Sequence, residues 1–269
     1  MISHTPNSRS FPVDQAQGLR ERYAGTSLRY IALAANPYLD SSAVAATLER
    51  LTAALGLFGR RTLVIDAADS SPRAPEGARI DVAMCVESLS PDIWYLPARG
   101  LPTRFVDTRG SAAQLLDQAT AACHGVDVVL VHASATDLSR IFAKRALRPL
   151  LLAADQAESV THAYGNMKLL ARRCEWLSAD LLLVGPEASL RLPRIAHSLS
   201  GCADTYVGSV ITGWAPVDPE SFPGDPPGPQ LCRLVAAQLG VNEGTLEPRT
   251  VRNSLERGLG MPENPTGVY

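Results

Sequence analysis

The sequence predicts an α/β fold, a single doubly wound and mostly parallel sheet with helices on both faces. Three observations carry this reading. Short, nearly continuous apolar runs recur as VDVVLVHA (126–133), PLLLAA (149–154) and ADLLLVG (179–185), and such runs suit strands buried on both faces. Amphipathic segments with helical spacing lie between them. With 269 residues, 46% of them apolar, the chain can bury one substantial core.

Taken in order, residues 1–12 are polar and rich in Ser and Pro, which predicts a disordered tail. A short helix is expected in FPVDQAQGLRERY, then a strand at Tyr30–Ala35 and a helix at Ala43–Phe58. Thr62–Asp66 reads as a strand, followed by a connection containing Pro and Gly through Gly77. IDVAMCVESLS (80–90) is ambiguous between helix and strand, IWYLPARG (93–100) is a strand running into a loop, and Ser111–Cys123 is an amphipathic helix. Helices at Leu138–Arg145 and Ser159–Arg173 precede the last two apolar strands, and Leu192–Cys202 follows them. PVDPESFPGDPPGPQ (216–230) is a Pro-dense loop leading to a last helix, LCRLVAAQLG. The expected division is an N-terminal tail with a short interaction helix (1–25), one α/β domain (26–243) and a polar C-terminal tail (244–269), with no internal repeat.

Composition narrows the function classes. A formal net charge of −2 argues against nucleic acid as the main partner. The five cysteines, Cys85, Cys123, Cys174, Cys202 and Cys232, are odd in number and form no CxxC pair, so reduced thiols in a cytoplasmic protein are expected and a metal site is not. MISHTPNSRSFP lacks the basic-then-apolar order of a signal peptide, and no apolar run approaches the ~18 residues that span a bilayer. A soluble chain is expected.

RLTAALGLFGRRTLVIDAAD (50–69) is similar to the segment after the phosphate loop in the MinD/ParA family, whose pattern is NLAxALAxxGxRVLLIDAD. In the same order DVVLVHA resembles DYVLIDT, ESVTHAYGNMKLL resembles TSLTDAYALIKLL, and CADTYVGSVITGWAPVDP resembles VAERFLGxxLxxLGxIPxD. DQAQGLR (14–20) resembles the DQAxxLR element of one branch, the FlhG/FleN-type regulators of flagellar number. Together these cover roughly residues 13 to 240. The resemblance implies a P-loop fold and sets a test for each nucleotide-handling position.

The family's GKGGVGKT loop falls on YLDSSAVA, Tyr38 to Ala45. Glycines allow such a loop to turn its N–H groups onto phosphates, and none is present. Left-handed geometry would cost roughly 1–2 kcal/mol at each non-glycine position. The lysine position falls on Val44, the signature lysine on Leu39 and the Mg²⁺-binding hydroxyl on Ala45, while Asp40 adds a repelling carboxylate. Tyr38, Leu39 and Val44 are expected to fill the space instead. The family's first aspartate matches Asp66, with Asp69 nearby; a weak metal site or a cap on the following turn are both open there. The Walker B-like aspartate falls on His132, open between a general base and a satisfied, partly buried imidazole. The base-reading Asn-Arg pair falls on Gly185 and Pro186. The departures imply a pseudo-ATPase without cofactor or catalytic residues.

Elsewhere, Ser134 and Ser139 lack the elbow of a hydrolase nucleophile. His124, His162 and His197 show no metal spacing, and His162 lies on a helix four residues from Asn166. Arg60–Arg61 and Arg172–Arg173 suit helix ends, where cations offset the dipole. Trp94, Trp176 and Trp214 form no stacking platform.

In the N-terminal element Asp14 suits an N-cap with Gln17 reaching back, and Gly18 costs about 1 kcal/mol against alanine. So short a helix needs a surface to fold against. In the FlhG-type family this element engages the flagellar SRP-type GTPase FlhF, so the resemblance assigns Gln15 the stimulating role and Asp14, Leu19 and Arg20 docking contacts. A helix packing on its own domain through Leu19 and Tyr23 is the alternative. The C-terminal TVRNSLERGLGMPENP offers only Val251, Leu255, Leu259 and Met261 around two glycines, so membrane binding is not expected. Any homodimer should form without nucleotide. The expected function is a non-catalytic regulator of flagellar biosynthesis. Its alternatives are a residual ATP-binding ATPase with Mg²⁺, or an α/β enzyme using an unrelated pocket.

Overall fold

One sheet of eight strands, in the order β3-β4-β2-β5-β1-β6-β7-β8, organises the chain in a computed structural model that describes residues 28–79, 81–222 and 224–241. The strands are β1 (Arg29–Ala34), β2 (Thr62–Asp66), β3 (Glu87–Ser90), β4 (Ile93–Pro97), β5 (Val128–Ala133), β6 (Leu150–Ala154), β7 (Ser178–Val184) and β8 (Val210–Val217). All ladders are parallel except the pairing of β3 with β4. The central strands β1, β2, β5, β6 and β7 are the apolar runs of the sequence, buried on both faces as a parallel sheet requires.

Two apolar layers cover the sheet. On one face α1 (Ser41–Leu57) and α7 (Pro229–Leu239) pack on Ile31, Leu33, Val64, Leu130 and Leu152. The other face carries α3 (Gln114–Ala121), α4 (Ala135–Ile141), α5 (Ala157–Cys174) and α6 (Arg191–Cys202), with Leu115, Leu138, Phe142 and Met167 in its core. A single turn, α2 (Leu101–Arg104), follows β4. From β1 the chain moves to one side of the sheet for β2 to β5 and then to the other for β6 to β8. The carboxyl ends flanking β1 are therefore where an open α/β sheet places its ligand crevice.

Several boundaries differ from the sequence expectation for local reasons. Helix α1 begins at Ser41 because the Asp40 side chain accepts from the Ala43 N–H at 2.8 Å. Helix α4 runs over 135–141, not 138–145: Ser134 caps its start, and the chain has turned into left-handed backbone by Lys144. The ambiguous segment resolves into a 3₁₀ turn at Ala83–Cys85 and the short antiparallel edge strand β3. Edge strand β8 lies outside the sequence expectation, since it holds Gly213 and Pro216, both unfavourable inside a strand. Arg50, buried on α1, donates to the Phe222 and Asp225 carbonyls and so clasps the Pro-dense loop to that helix. Among the described residues, no helix is long and apolar enough to cross a membrane.

Candidate functional site

The loop from β1 to α1 stands at the sheet's centre, and its polar groups are turned onto the protein itself. Asn36, 2% exposed, donates through Nδ2 to the Leu152 and Ser159 carbonyls at 2.8 and 2.9 Å and to Ser159 Oγ at 2.9 Å. Its Oδ1 accepts from the Tyr38 N–H at 3.2 Å, while the Leu39 N–H reaches the Asn36 carbonyl at 3.2 Å. Asn166 Nδ2 donates to the Ala35 carbonyl at 3.0 Å. None of residues 35–45 adopts a positive φ, so the backbone avoids the geometry of a phosphate-holding nest. Asp40 completes the arrangement. Its carboxylate accepts from Ala43 N–H and, at 2.7 Å, from Ser42 Oγ, and the Ala43 bond followed by that of Ser42 lowers its pKa. A negative side chain thus occupies the start of α1, where an anionic ligand would be stabilised.

Leu39 and Val44 are buried beside this loop, as expected, but Tyr38 is not. The turn after Pro37 directs Leu39 inward and leaves Tyr38 half exposed, edge-on to His162 with ring centroids 6.0 Å apart. Burial lowers the His162 pKa, opposed by a hydrogen bond to the Ala35 backbone. Ala45 faces outward from α1.

Asp66 and His132 meet one strand over. Register places them opposite each other on β2 and β5, on the α1 face. His132 Nδ1 lies 2.7 Å from Asp66 Oδ1, Ser71 Oγ donates to the same oxygen, and the Tyr95 hydroxyl donates to Oδ2 at 2.9 Å. Burial alone would raise the Asp66 pKa; the His132 hydrogen bond and charge, with the Ser71 and Tyr95 bonds, outweigh it and lower the value. Burial, and then the neighbouring Asp66 charge, push the Tyr95 hydroxyl well above its ordinary range. The expectation of a partly buried, satisfied imidazole needs correcting: His132 is fully buried, has a carboxylate partner, and leaves Nε2 without any hydrogen bond. The carboxylate stands at the centre of this cluster and Ser71 does not reach the imidazole, so it has no nucleophile–base–acid chain. Asp66 binds side chains and does not cap the next turn. Ser71 and Tyr95 belong to no motif, and only the strand order reveals them.

A cleft of about 600 Å³ opens beside this cluster, between α1 and the β2–β4 edge. Ala45, Leu48, Val64, Leu89 and Ile93 give it apolar walls, and Asp66, Ser71 and Tyr95 line its inner end.

The remaining expectations fall apart from this region. Arg61 pairs with Asp127 at 3.5 Å, while Arg172 and Arg173 do lie in the last turn of α5. No group of three or more His, Cys, Asp or Glu side chains could hold a metal among the described residues. A second polar cluster has Asp180 held by Arg148 Nε at 2.9 Å and Gln238 Nε2 at 2.8 Å. Asp14, Gln15, Leu19 and Arg20, and the tail from 244, lie outside the described residues.

Strand order, central loop and helical layers define an α/β chain of MinD/ParA-like fold. A chain of the MinC:MinD cell division protein complex from Aquifex aeolicus is similar at a TM-score of 0.53 and 12% identity, over 80% of this chain and 96% of that one. The MinD cell division protein of Aquifex aeolicus gives 0.52 and 13%, over 80% and 98%. A substituted form of Cyanothece McdA, in complex with ATP, gives 0.52 and 14%, over 80% and 98%. No family model and no curated protein matches the chain. At these identities the likeness establishes the fold.

Proposed function

We propose that this chain is a non-catalytic regulator of flagellar biosynthesis, working by protein–protein contact on a MinD/ParA-like scaffold that does not use nucleotide. The observation that carries the reading is the β1–α1 loop. Its amides are engaged by Asn36 and Asp40, and its two inward side chains, Leu39 and Val44, are apolar. A triphosphate would have to break those bonds, meet the Asp40 charge and gain no cation in return. With that centre closed to phosphate, function falls to the surface. The segment DQAQGLR, by its resemblance to the FlhG-type element, engages the SRP-type GTPase FlhF. Gln15 reaches the partner's active site and orients the attacking water, a role glutamines play in GTP hydrolysis, while Asp14, Leu19 and Arg20 dock.

GTP turnover tests this directly. FlhF should hydrolyse GTP faster on addition of the full chain or of a peptide spanning residues 1–25, and Gln15→Ala should remove the gain. An unchanged rate in both cases would refute the proposal.

A further inference from the structure

The geometry points to a second site: we propose that the cleft between α1 and the β2–β4 edge binds a neutral, largely apolar small molecule. Its volume of about 600 Å³ suits a drug-sized ligand. It is a cup with walls from four directions. Ser41, Ala45, Glu49 and Thr52 follow each other at helical spacing along α1 and form one wall. Val64, Ile93 and Tyr95 make the floor on β2 and β4, Leu89 of β3 the outer edge, and the Ser70–Pro72 turn a further wall.

The need for an occupant comes from the layers. Helices α1 and α7 cover the middle of this face and the β8 side, whereas β4 adds only the partly buried Tyr95 to that layer and β3 lies beyond it. Leu89 is 62% exposed, and Ile93 and Tyr95 are half-buried, whereas Val64 on the neighbouring β2 is buried.

Charge and hydrogen bonding set the ligand's chemistry. Among the described lining residues the only charged groups are Asp66 and Glu49, both carboxylates, so phosphates and other anions are repelled. The polar handle is at the inner end. Tyr95 donates its proton to Asp66, leaving the phenolic oxygen free to accept from a ligand hydroxyl or amide N–H. Val44, Ala45 and Asp66 of the lining stand where the resemblance sets the phosphate loop and the family's first aspartate, so the inference rests on the nucleotide-free reading.

The test is a titration of the full chain with Nile red, a neutral apolar dye, beside the anionic dye anilinonaphthalene sulfonate. Ala45 points out of α1 into the cleft, so Ala45→Phe fills it without entering the core. Glu49→Trp, at the rim, provides a second block should the first variant melt early. We expect saturable one-to-one binding of Nile red, at least tenfold weaker in both blocked variants, with the anionic dye at least tenfold weaker on the unmodified chain. Non-saturable binding, equal binding in the blocked variants, or equal affinity for the two dyes would overturn the assignment. Titration with Mg-ATP in parallel keeps the two ideas separate. Heat of ATP binding would contradict the nucleotide-free scaffold whatever the dyes do, and a failed dye titration without ATP heat would remove the cleft proposal alone.

Discussion

The β1–α1 loop and the β2–β5 strand ends lie side by side beneath α1, and they handle buried polar groups in opposite ways. In the loop, Asn36 spreads one amide over the backbone of β6 and α5 and the loop itself, so every group of that side chain has a partner. At the strand ends, one carboxylate collects His132, Ser71 and Tyr95, and the far nitrogen of His132 is unpaired. The loop ties its own amides to the Asn36 side chain and to the Asp40 carboxylate at its outer end. The strand ends depend on a single charge, and an open cleft reaches them. In neighbouring places, then, one polar side chain is fully paired and the other leaves a buried nitrogen without a partner.

Substitutions can break this contrast. Asp66→Ala should have the largest effect, about 3 kcal/mol of unfolding free energy in urea, because three buried or half-buried partners lose their acceptor at once. The same contact carries a pH signature. Asp66 has a lowered folded-state pKa, so its contribution is complete above the unfolded carboxylate value of 3.8 and is lost as pH falls through the lower folded value. Asp66→Asn should therefore flatten the acid limb of a stability–pH curve measured by urea unfolding; an unaltered limb would mean that Asp66 does not have the lowered pKa.

Asn36→Ala should cost about 2 kcal/mol in the same measurement, from the lost Nδ2 bonds to Leu152 and Ser159 and the lost acceptor for Tyr38 N–H. Amide hydrogen exchange should quicken at Tyr38 and Leu39 in that variant and stay unchanged at His132. Ser71→Ala removes one donor of three and should cost only about 1 kcal/mol. A larger loss for Ser71→Ala than for Asn36→Ala would reverse the comparison.

Much of the frame is visible in the chain itself. Continuous apolar runs mark β2, β5, β6 and β7 because strands buried on both faces leave no room for alternation. The absence of a glycine-rich loop is equally visible, since phosphate cradles depend on backbone freedom. The polar cluster is not. Asp66 and His132 are far apart in sequence and meet only because β5 lies directly beside β2; Tyr95 joins them from β4. Period-2 spacing does put Val64 and Asp66 on one face and Leu130 and His132 on one face, and with the strand order in hand that pairing could have been read. Tyr38 misled because a Pro-led turn, not hydropathy, decides which of Tyr38 and Leu39 faces inward.

Calorimetric titration of the full chain with ATP and Mg²⁺ reaches the central claim most directly. A loop closed by Asn36 and Asp40, with apolar Leu39 and Val44 turned inward, predicts no binding heat up to millimolar nucleotide. A saturable isotherm in the micromolar range would contradict it and return the chain to the nucleotide-driven members of its fold.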